Sequence, residues 1–314
     1  MSTFGQLFSR GGLPVSPIIH FERCAKFFSS TRVSGAFLDR PESLREVSPI
    51  GTGIEAIQWS TTPRASANGV STELNIQTLN RDGTFPNDAG FKVEWVNGAA
   101  TSYLLTEVAQ AVVPVPQLQS RFFEWVARDE FRNVLDIGGR ARSGLLRAAM
   151  FPNNLVTVLD IVADEGVDVV CDAHQLSAKF PTGSFDAVFS SFAYEHLVMP
   201  WKVAIEINRV LRVGGIGFVA THQTVGMHDS PWDYFRFSDS AWRGIFNVAT
   251  GFEILQTEMA SPQYIIPMHY ADRHAEAEKT AGFEFSSVLF RKVSETNFDW
   301  PLSAANVVTD SYPT

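Results

Sequence analysis

The 314-residue chain carries 25 Lys and Arg against 34 Asp and Glu, a formal net charge of −9, so a nucleic-acid partner held by phosphate neutralisation is not expected. Its hydrophobic content of 45% supports a substantial core, in one large domain or two smaller ones. With only 2 cysteines, Cys24 and Cys171, no Cys-rich metal centre can be built; with no signal-peptide pattern and no run approaching ~20 apolar residues, the expectation is a cytoplasmic protein without a membrane span.

Residues 1–46 combine Pro14 and Pro17, which break any early helix, with Phe21, Phe27, Phe28 and Phe37, which seek burial; they read as an amino-terminal arm. From 47 to 98 the chain turns to short alternating runs, such as 53–59, 71–79 and 91–96, separated by the turn clusters Ala67-Asn68-Gly69 and Arg81-Asp82-Gly83. That pattern predicts a small antiparallel β module, serving as a lid, as a contact between copies in a homo-oligomer, or, through Trp59 and Trp95, as a surface that recruits a glycan.

The main domain is expected over 99–293. Helical spacing runs through Tyr103, Leu104, Val108 and Ala111, then through Leu118, Phe122, Trp125 and Val126. Beyond Asn133, strands at 134–137, 155–159, 167–171, 185–190 and 215–221 alternate with helical stretches near 143–150, 174–179, 201–212 and 239–249. This order predicts an α/β fold: a doubly wound, mostly parallel seven-stranded sheet, with 251–257 and 287–293 pairing antiparallel at its edge. Residues 294–314 read as a tail.

In open parallel sheets, ligands bind beyond the carboxyl ends of the strands, where strand order reverses. Val134 to Ile137 is an apolar run too short for a helix, and Gly138-Gly139 lets the backbone turn tightly and pass close to a ligand. A dinucleotide-binding Gly-x-Gly-x-x-Gly loop begun at Gly138 would need glycine where Arg140 stands, and would have no acid at Asp136. An acid there suits a cationic amino-acid group better than a pyrophosphate. The second strand ends in Asp160, 24 residues after Asp136, where a carboxylate can accept both hydroxyl protons of a ribose; capping of the next turn is the structural alternative. The third strand ends in Asp172-Ala173, an acid for the exocyclic amine of adenine followed by a side chain small enough to admit the ring.

These residues resemble the class I S-adenosylmethionine-dependent methyltransferases, over roughly residues 118–293. Val134-Leu135-Asp136-Ile137-Gly138 is similar to the family's first motif, and Gly183-Ser184-Phe185-Asp186-Ala187-Val188, Glu195-His196-Leu197 and Leu211-Arg212-Val213-Gly214-Gly215 follow in family order. The resemblance implies a Rossmann-like sheet and S-adenosylmethionine as cofactor, held by Asp136, Gly138, Gly139, Asp160, Ile161, Asp172, Ala173 and Ser191. Arg140 and Arg142 depart from the pattern by taking the second and third glycine places, and the first 117 residues lie outside the resemblance.

After the fifth strand, residues 221–237 gather His, Asp, Tyr and Arg beside aromatic rings, a combination costly to bury without a task. The form His228-Asp229-x-Pro231-x-Asp233-Tyr234-x-Arg236-Phe237 resembles a methyltransferase branch associated with polysaccharide and other glycan pathways. The expected reaction is O-methylation of a hydroxyl on a sugar, glycan or other small polar metabolite. His228 is the expected general base and Asp229 its orienting partner, with His196 and His222 lining the cleft. Trp232, Asp233, Tyr234 and Arg236 are expected to contact the acceptor, an ion pair between Asp233 and Arg236 that fixes the loop being the alternative. No metal-ligand spacing is recognised, so no metal is expected, the His-Asp cluster being the minor option. The alternatives are N- or O-methylation of a natural product by alignment alone, a non-catalytic binding relative, and an NAD-dependent oxidoreductase, which Asp136 and Arg140 oppose.

Overall fold

The computed structural model describes residues 16–27, 30–66, 69–80, 86–112, 116–141, 144, 146–265 and 282–308. Pro14, Phe28, Ala67-Asn68, Arg81-Asp82-Gly83, Arg142, Ser143 and the last residues of the expected tail lie outside the described residues. The chain divides into two compact units, Met1–Val113 and Pro114–Thr314.

The first unit is antiparallel β with one helix. Strands β1 (Ile19–Phe27), β2 (Ser30–Phe37), β4 (Ala56–Ser66) and β5 (Gly69–Leu79) form a sheet in the order β1-β2-β5-β4, and β3 (Leu44–Ile50), β6 (Gly90–Trp95) and β7 (Ala100–Leu104) form a second. The period of two sorts the side chains. Phe91, Val93 and Trp95 of β6 are buried with Phe37, Leu74 and Ile76, while Lys92 and Glu94 point outward and pair at 2.5 Å. Helix α1 (Leu105–Val112) adds Leu105 and Val108 to this core.

Three expectations are corrected here. The arm and the β module are one unit, because β1 and β2, drawn from the arm, extend the sheet of β4 and β5. Tyr103 and Leu104 end a strand rather than begin a helix, and the unit closes at Val113 rather than at 98. Trp95 is buried at 1% exposure with its ring edge-on to Phe37, so of the two tryptophans only Trp59 faces solvent.

The second unit holds the seven-stranded, mostly parallel α/β sheet. Its strands are β8 (Asn133–Ile137), β9 (Leu155–Asp160), β10 (Val169–Val170), β11 (Phe185–Ser191), β12 (Leu211–His222), β13 (Phe252–Gln263) and β14 (Gly282–Lys292). The spatial order is β10-β9-β8-β11-β12-β14-β13. Pairings from β10 through β12 are parallel, and β14 runs antiparallel to both of its neighbours. β13 lies at the edge and pairs antiparallel with β14 one place in, so the expected antiparallel pairing of 251–257 with 287–293 is present. Both faces of the sheet are buried, which is why its strands read as near-continuous apolar runs. Leu135, Val188, Val219 and Val288 pack on one side with α3 (Pro200–Val210) and α4 (Ala241–Ile245). Their chain neighbours Val134, Ala187, Phe189, Phe218 and Leu289 pack on the other with Leu118, Phe122 and Val126 of α2 (Gln117–Val126).

Two helical expectations shrink. Among the described residues of 143–150 there is a 3-10 turn over Arg147–Met150, and 174–179 is a 3-10 segment over Ala173–Ala178. The expected tail is tied to α3: Lys202 Nζ donates to the carbonyls of Trp300 and Leu302 at 2.7 and 2.9 Å, and Arg209 pairs with Asp299 at 2.8 Å; α5 (Ala304–Val307) follows. No helix among the described residues is long and apolar enough to cross a membrane.

The strand order reverses between β8 and β11, so a crevice opens beyond their carboxyl ends. Gly138 follows β8 and Phe192 follows β11.

Candidate active site

A cavity of about 390 Å³ occupies that crevice, within the size range of small-molecule and cofactor sites. Gly138, at φ +75°, and Gly139 bring the backbone down onto the sheet. A Cβ on Gly138 would lie 2.5 Å from the Ala193 Cβ, and one on Gly139 would lie 2.5 Å from Asp136 Oδ2. Both amides donate to the Leu159 carbonyl, at 2.8 and 3.2 Å, which fastens the loop to β9. Asp160 lines the cavity and ties two loops together, accepting from the Val162 amide at 3.0 Å and the Arg140 amide at 3.4 Å. The local cap anticipated for Asp160 and its exposure to the ligand space thus coexist. Asp172 caps the 3-10 segment: its Oδ1 accepts the His174 amide at 2.9 Å and lies 2.6 Å from His174 Nδ1. Burial opposes ionisation of this carboxyl, yet the hydrogen bonds from His174 hold it below the usual carboxylate range.

Of the residues expected around the cofactor, Gly138, Asp160, Ile161, Asp172 and Ala173 line the cavity. Gly139, Ser191 and Asp136 are not among its lining residues. Asp136 lies beneath the glycine turn, fully buried, and neither of its oxygens makes a hydrogen bond to the described residues. Burial pushes its carboxyl up to about 7, against the attraction of Arg147 and with the like charge of Asp160 adding to the rise. The expectation that Asp136 faces the ligand is therefore corrected: the glycine turn stands between them. Arg140, read only as a departure from the glycine pattern, does line the cavity.

The other wall comes from residues 192–197 and 229–232. Phe192 and Asp229 both carry positive φ, 56° and 50°, a conformation uncommon for residues with side chains and frequent at functional sites. Four side chains then converge. Glu195 is fully buried, and its Oε1 lies 3.4 Å from His222 Nε2, 3.9 Å from His228 Nε2 and 4.0 Å from His196 Nε2. The Glu195 backbone carbonyl accepts the amides of Tyr234 and Phe235 at 2.9 and 3.2 Å, anchoring the 221–237 segment to the end of β11. The His222 ring stacks on Phe192 with centroids 4.8 Å apart, and burial lowers its pKa, partly offset by Glu195.

His196, Asp229 and Trp232 line the cavity; His222 and His228 stand behind His196. The expected His228–Asp229 pairing is replaced by another. Asp229 Oδ2 lies 4.0 Å from His196 Nε2, whereas His228 Nδ1 has Asp233 Oδ2 at 3.6 Å. Asp233 and Arg236 form the loop-fixing pair: the guanidinium donates to both carboxylate oxygens, at 2.5 and 2.7 Å, and to the carbonyls of Val225 and Gly226. The Arg236 hydrogen bonds hold the Asp233 carboxyl far below its ordinary range. Neither residue lines the cavity, and nor does Tyr234, so Trp232 alone of the four expected acceptor contacts reaches it.

Glu195 is the residue that sequence reasoning passed over. It stood in the Glu195-His196-Leu197 motif, and the available signal was an acid beyond a strand's carboxyl end, four residues past the β11 terminus.

A nucleotide-sized cavity at the switch point, two strand-end carboxylates facing it and a glycine cradle that a Cβ would obstruct all fit S-adenosylmethionine. In these features the chain is similar to the S-adenosylmethionine-dependent methyltransferases. Residues 149–219 match the family Methyltransf_11, described as a methyltransferase domain. Among solved structures, a putative methyltransferase from Bacillus halodurans is similar at 17% identity and TM-score 0.42, covering 57% of this chain and 100% of its own. The YcgJ protein of Bacillus subtilis is similar at 18% identity and TM-score 0.41, covering 57% and 99%. An S-adenosylmethionine-dependent methyltransferase from Aquifex aeolicus is similar at 14% identity and TM-score 0.39, covering 56% and 89%. Among curated proteins no relative matches the chain.

Proposed function

We propose that the protein is a class I S-adenosylmethionine-dependent methyltransferase that methylates a hydroxyl oxygen of a sugar, glycan or other small polar metabolite, with a histidine as general base. When bound, S-adenosylmethionine supplies a methyl carbon activated by its sulfonium. Asp160 would accept the ribose hydroxyls, Asp172 and Ala173 would accommodate adenine, and Arg140 would pair with the amino-acid carboxylate. The observation that carries the O-methylation reading is His196. Its Nδ1 donates to the Trp232 carbonyl at 2.8 Å, which makes Nε2 the basic nitrogen, and the ring lines the cavity beside Asp229. A hydroxyl attacking the methyl carbon must lose its proton, and His196 Nε2 on the cavity wall would take it, with Asp229 stabilising the imidazolium. Trp232 offers an aromatic wall of the kind that packs against the C–H face of a sugar.

Radiolabelled methyl transfer should reach a sugar or phenol pool, with label in alkali-stable ether linkage. Labelling of an amine pool alone would overturn O-methylation. On the cofactor side, Asp160→Ala should weaken S-adenosylhomocysteine binding by about 1–3 kcal/mol, the scale for losing a charged hydrogen-bond partner. An unchanged affinity by calorimetry would mean that the ribose is held elsewhere.

A further inference from the structure

Glu195 Oε1 is a fully buried carboxylate oxygen with no hydrogen bond, although the same carboxyl's Oε2 accepts the Thr221 hydroxyl. Such an oxygen calls for a missing partner. What faces it is nitrogen. The His228 Nδ1 lies 3.1 Å from the Gly226 carbonyl and 3.5 Å from Arg236 Nη2, which is already committed to Asp233 and Gly226. Nδ1 is therefore the protonated nitrogen of His228, and Nε2 turns a lone pair toward Glu195. At His222 the buried Nδ1 makes no hydrogen bond, and Nε2 is the nitrogen turned toward Glu195 Oε1. A buried carboxylate oxygen and two imidazole nitrogens thus converge on one space, an arrangement that a cation between them would satisfy.

We infer that Glu195, His222 and His228 bind a divalent first-row transition-metal ion of the zinc, cobalt or manganese kind. The three donor atoms lie within 4.8 Å of one another. A tetrahedral ion with ligands about 2.0–2.1 Å away needs them about 3.3–3.4 Å apart. His222 already stands 3.4 Å from Glu195 Oε1, and His228, half-exposed on its loop at 3.9 Å, would shift inward to complete the set. Two imidazoles and one carboxylate favour such an ion over magnesium or calcium, which prefer all-oxygen shells. The surroundings are those of a ligand set: His228 Nδ1–H is held by a backbone carbonyl, and Glu195 Oε2 by Thr221. Three protein ligands leave a position open. Resting on the O-methylation reading above, the ion would polarise the acceptor hydroxyl there, lowering its pKa before His196 takes the proton.

Cobalt(II) titration followed by visible absorption tests the site without turnover. The wild-type protein should bind one equivalent, with the intense bands of a four- or five-coordinate ion, and zinc should displace it. Glu195→Gln keeps the side-chain shape, and His228→Ala alters an exposed loop. Each should weaken cobalt binding by more than the about 10–100-fold typical of outer-sphere changes, while circular dichroism and S-adenosylhomocysteine affinity stay as in the wild type. His20→Ala, on an exposed strand of the first unit, should bind as the wild type does. Cobalt that keeps its aqueous spectrum, or binds equally well to both variants, overturns the inference. Metal binding without S-adenosylhomocysteine binding would instead overturn the methyltransferase reading and leave the metal site standing.

Discussion

Replacing His196 by alanine should lower the rate of methyl transfer by a factor on the order of 10²–10⁴, the usual contribution of a positioned general base and equivalent to about 3–5 kcal/mol of transition-state stabilisation. His196, unlike His228, lines the cavity, with its Nδ1 held by the Trp232 carbonyl. S-adenosylhomocysteine affinity should be unchanged, so the loss falls on the chemical step. Added imidazole should restore part of the rate by entering the vacated space, a rescue that a purely structural role would not show. A His196→Ala enzyme working at the wild-type rate would mean that alignment alone suffices, as expected for an amine or carboxylate acceptor.

Asp136→Asn should change how stability depends on pH. The folded-state pKa of Asp136, about 7, lies above its ordinary value of 3.8, because burial disfavours the charged form. A raised pKa contributes stability that is fully present below about 3.8 and is lost as pH rises through about 7. The rise corresponds to about 4 kcal/mol over that window. Asparagine cannot ionise, so the variant should gain on the wild type by about this amount between pH 4 and pH 8, read from urea unfolding at each pH. Equal stability differences at both ends would show that water or Arg147 neutralises the carboxylate more fully than its burial implies.

The part of the cavity lined by Gly138, Asp160, Asp172 and Ala173 was legible in the sequence because it depends on local rules. Asp160 and Asp172 end strands, Gly138 makes a turn that a side chain would obstruct, and Ala173 leaves space. The acceptor half was not, because its geometry is set by packing across segments. His196, His222 and His228 are separated in sequence and meet only because the Glu195 carbonyl pins the 221–237 segment to the end of β11. That contact fixes which histidine faces the cavity, and spacing alone carries no record of it. Nor does spacing reveal that Glu195 meets His222 and His228, the set proposed above to hold a metal ion. The first unit misled for a related reason. The alternation in β1 and β2 is interrupted by Gly35 and by a bulge between Phe21 and Arg23, so two paired strands read as an arm. Asp136 was recognised as unusual, but an acid at a strand's end and one buried beneath the following turn have the same sequence signature.

Isothermal calorimetry of the intact protein with S-adenosylhomocysteine and with NAD tests most directly the claim that the crevice between β8 and β11 is an S-adenosylmethionine site. The account predicts saturable heat at one equivalent of S-adenosylhomocysteine and none with NAD, because carboxylates and a cationic arginine line a cavity without the glycine pattern of a pyrophosphate loop. Tight NAD binding with no heat from S-adenosylhomocysteine would contradict it.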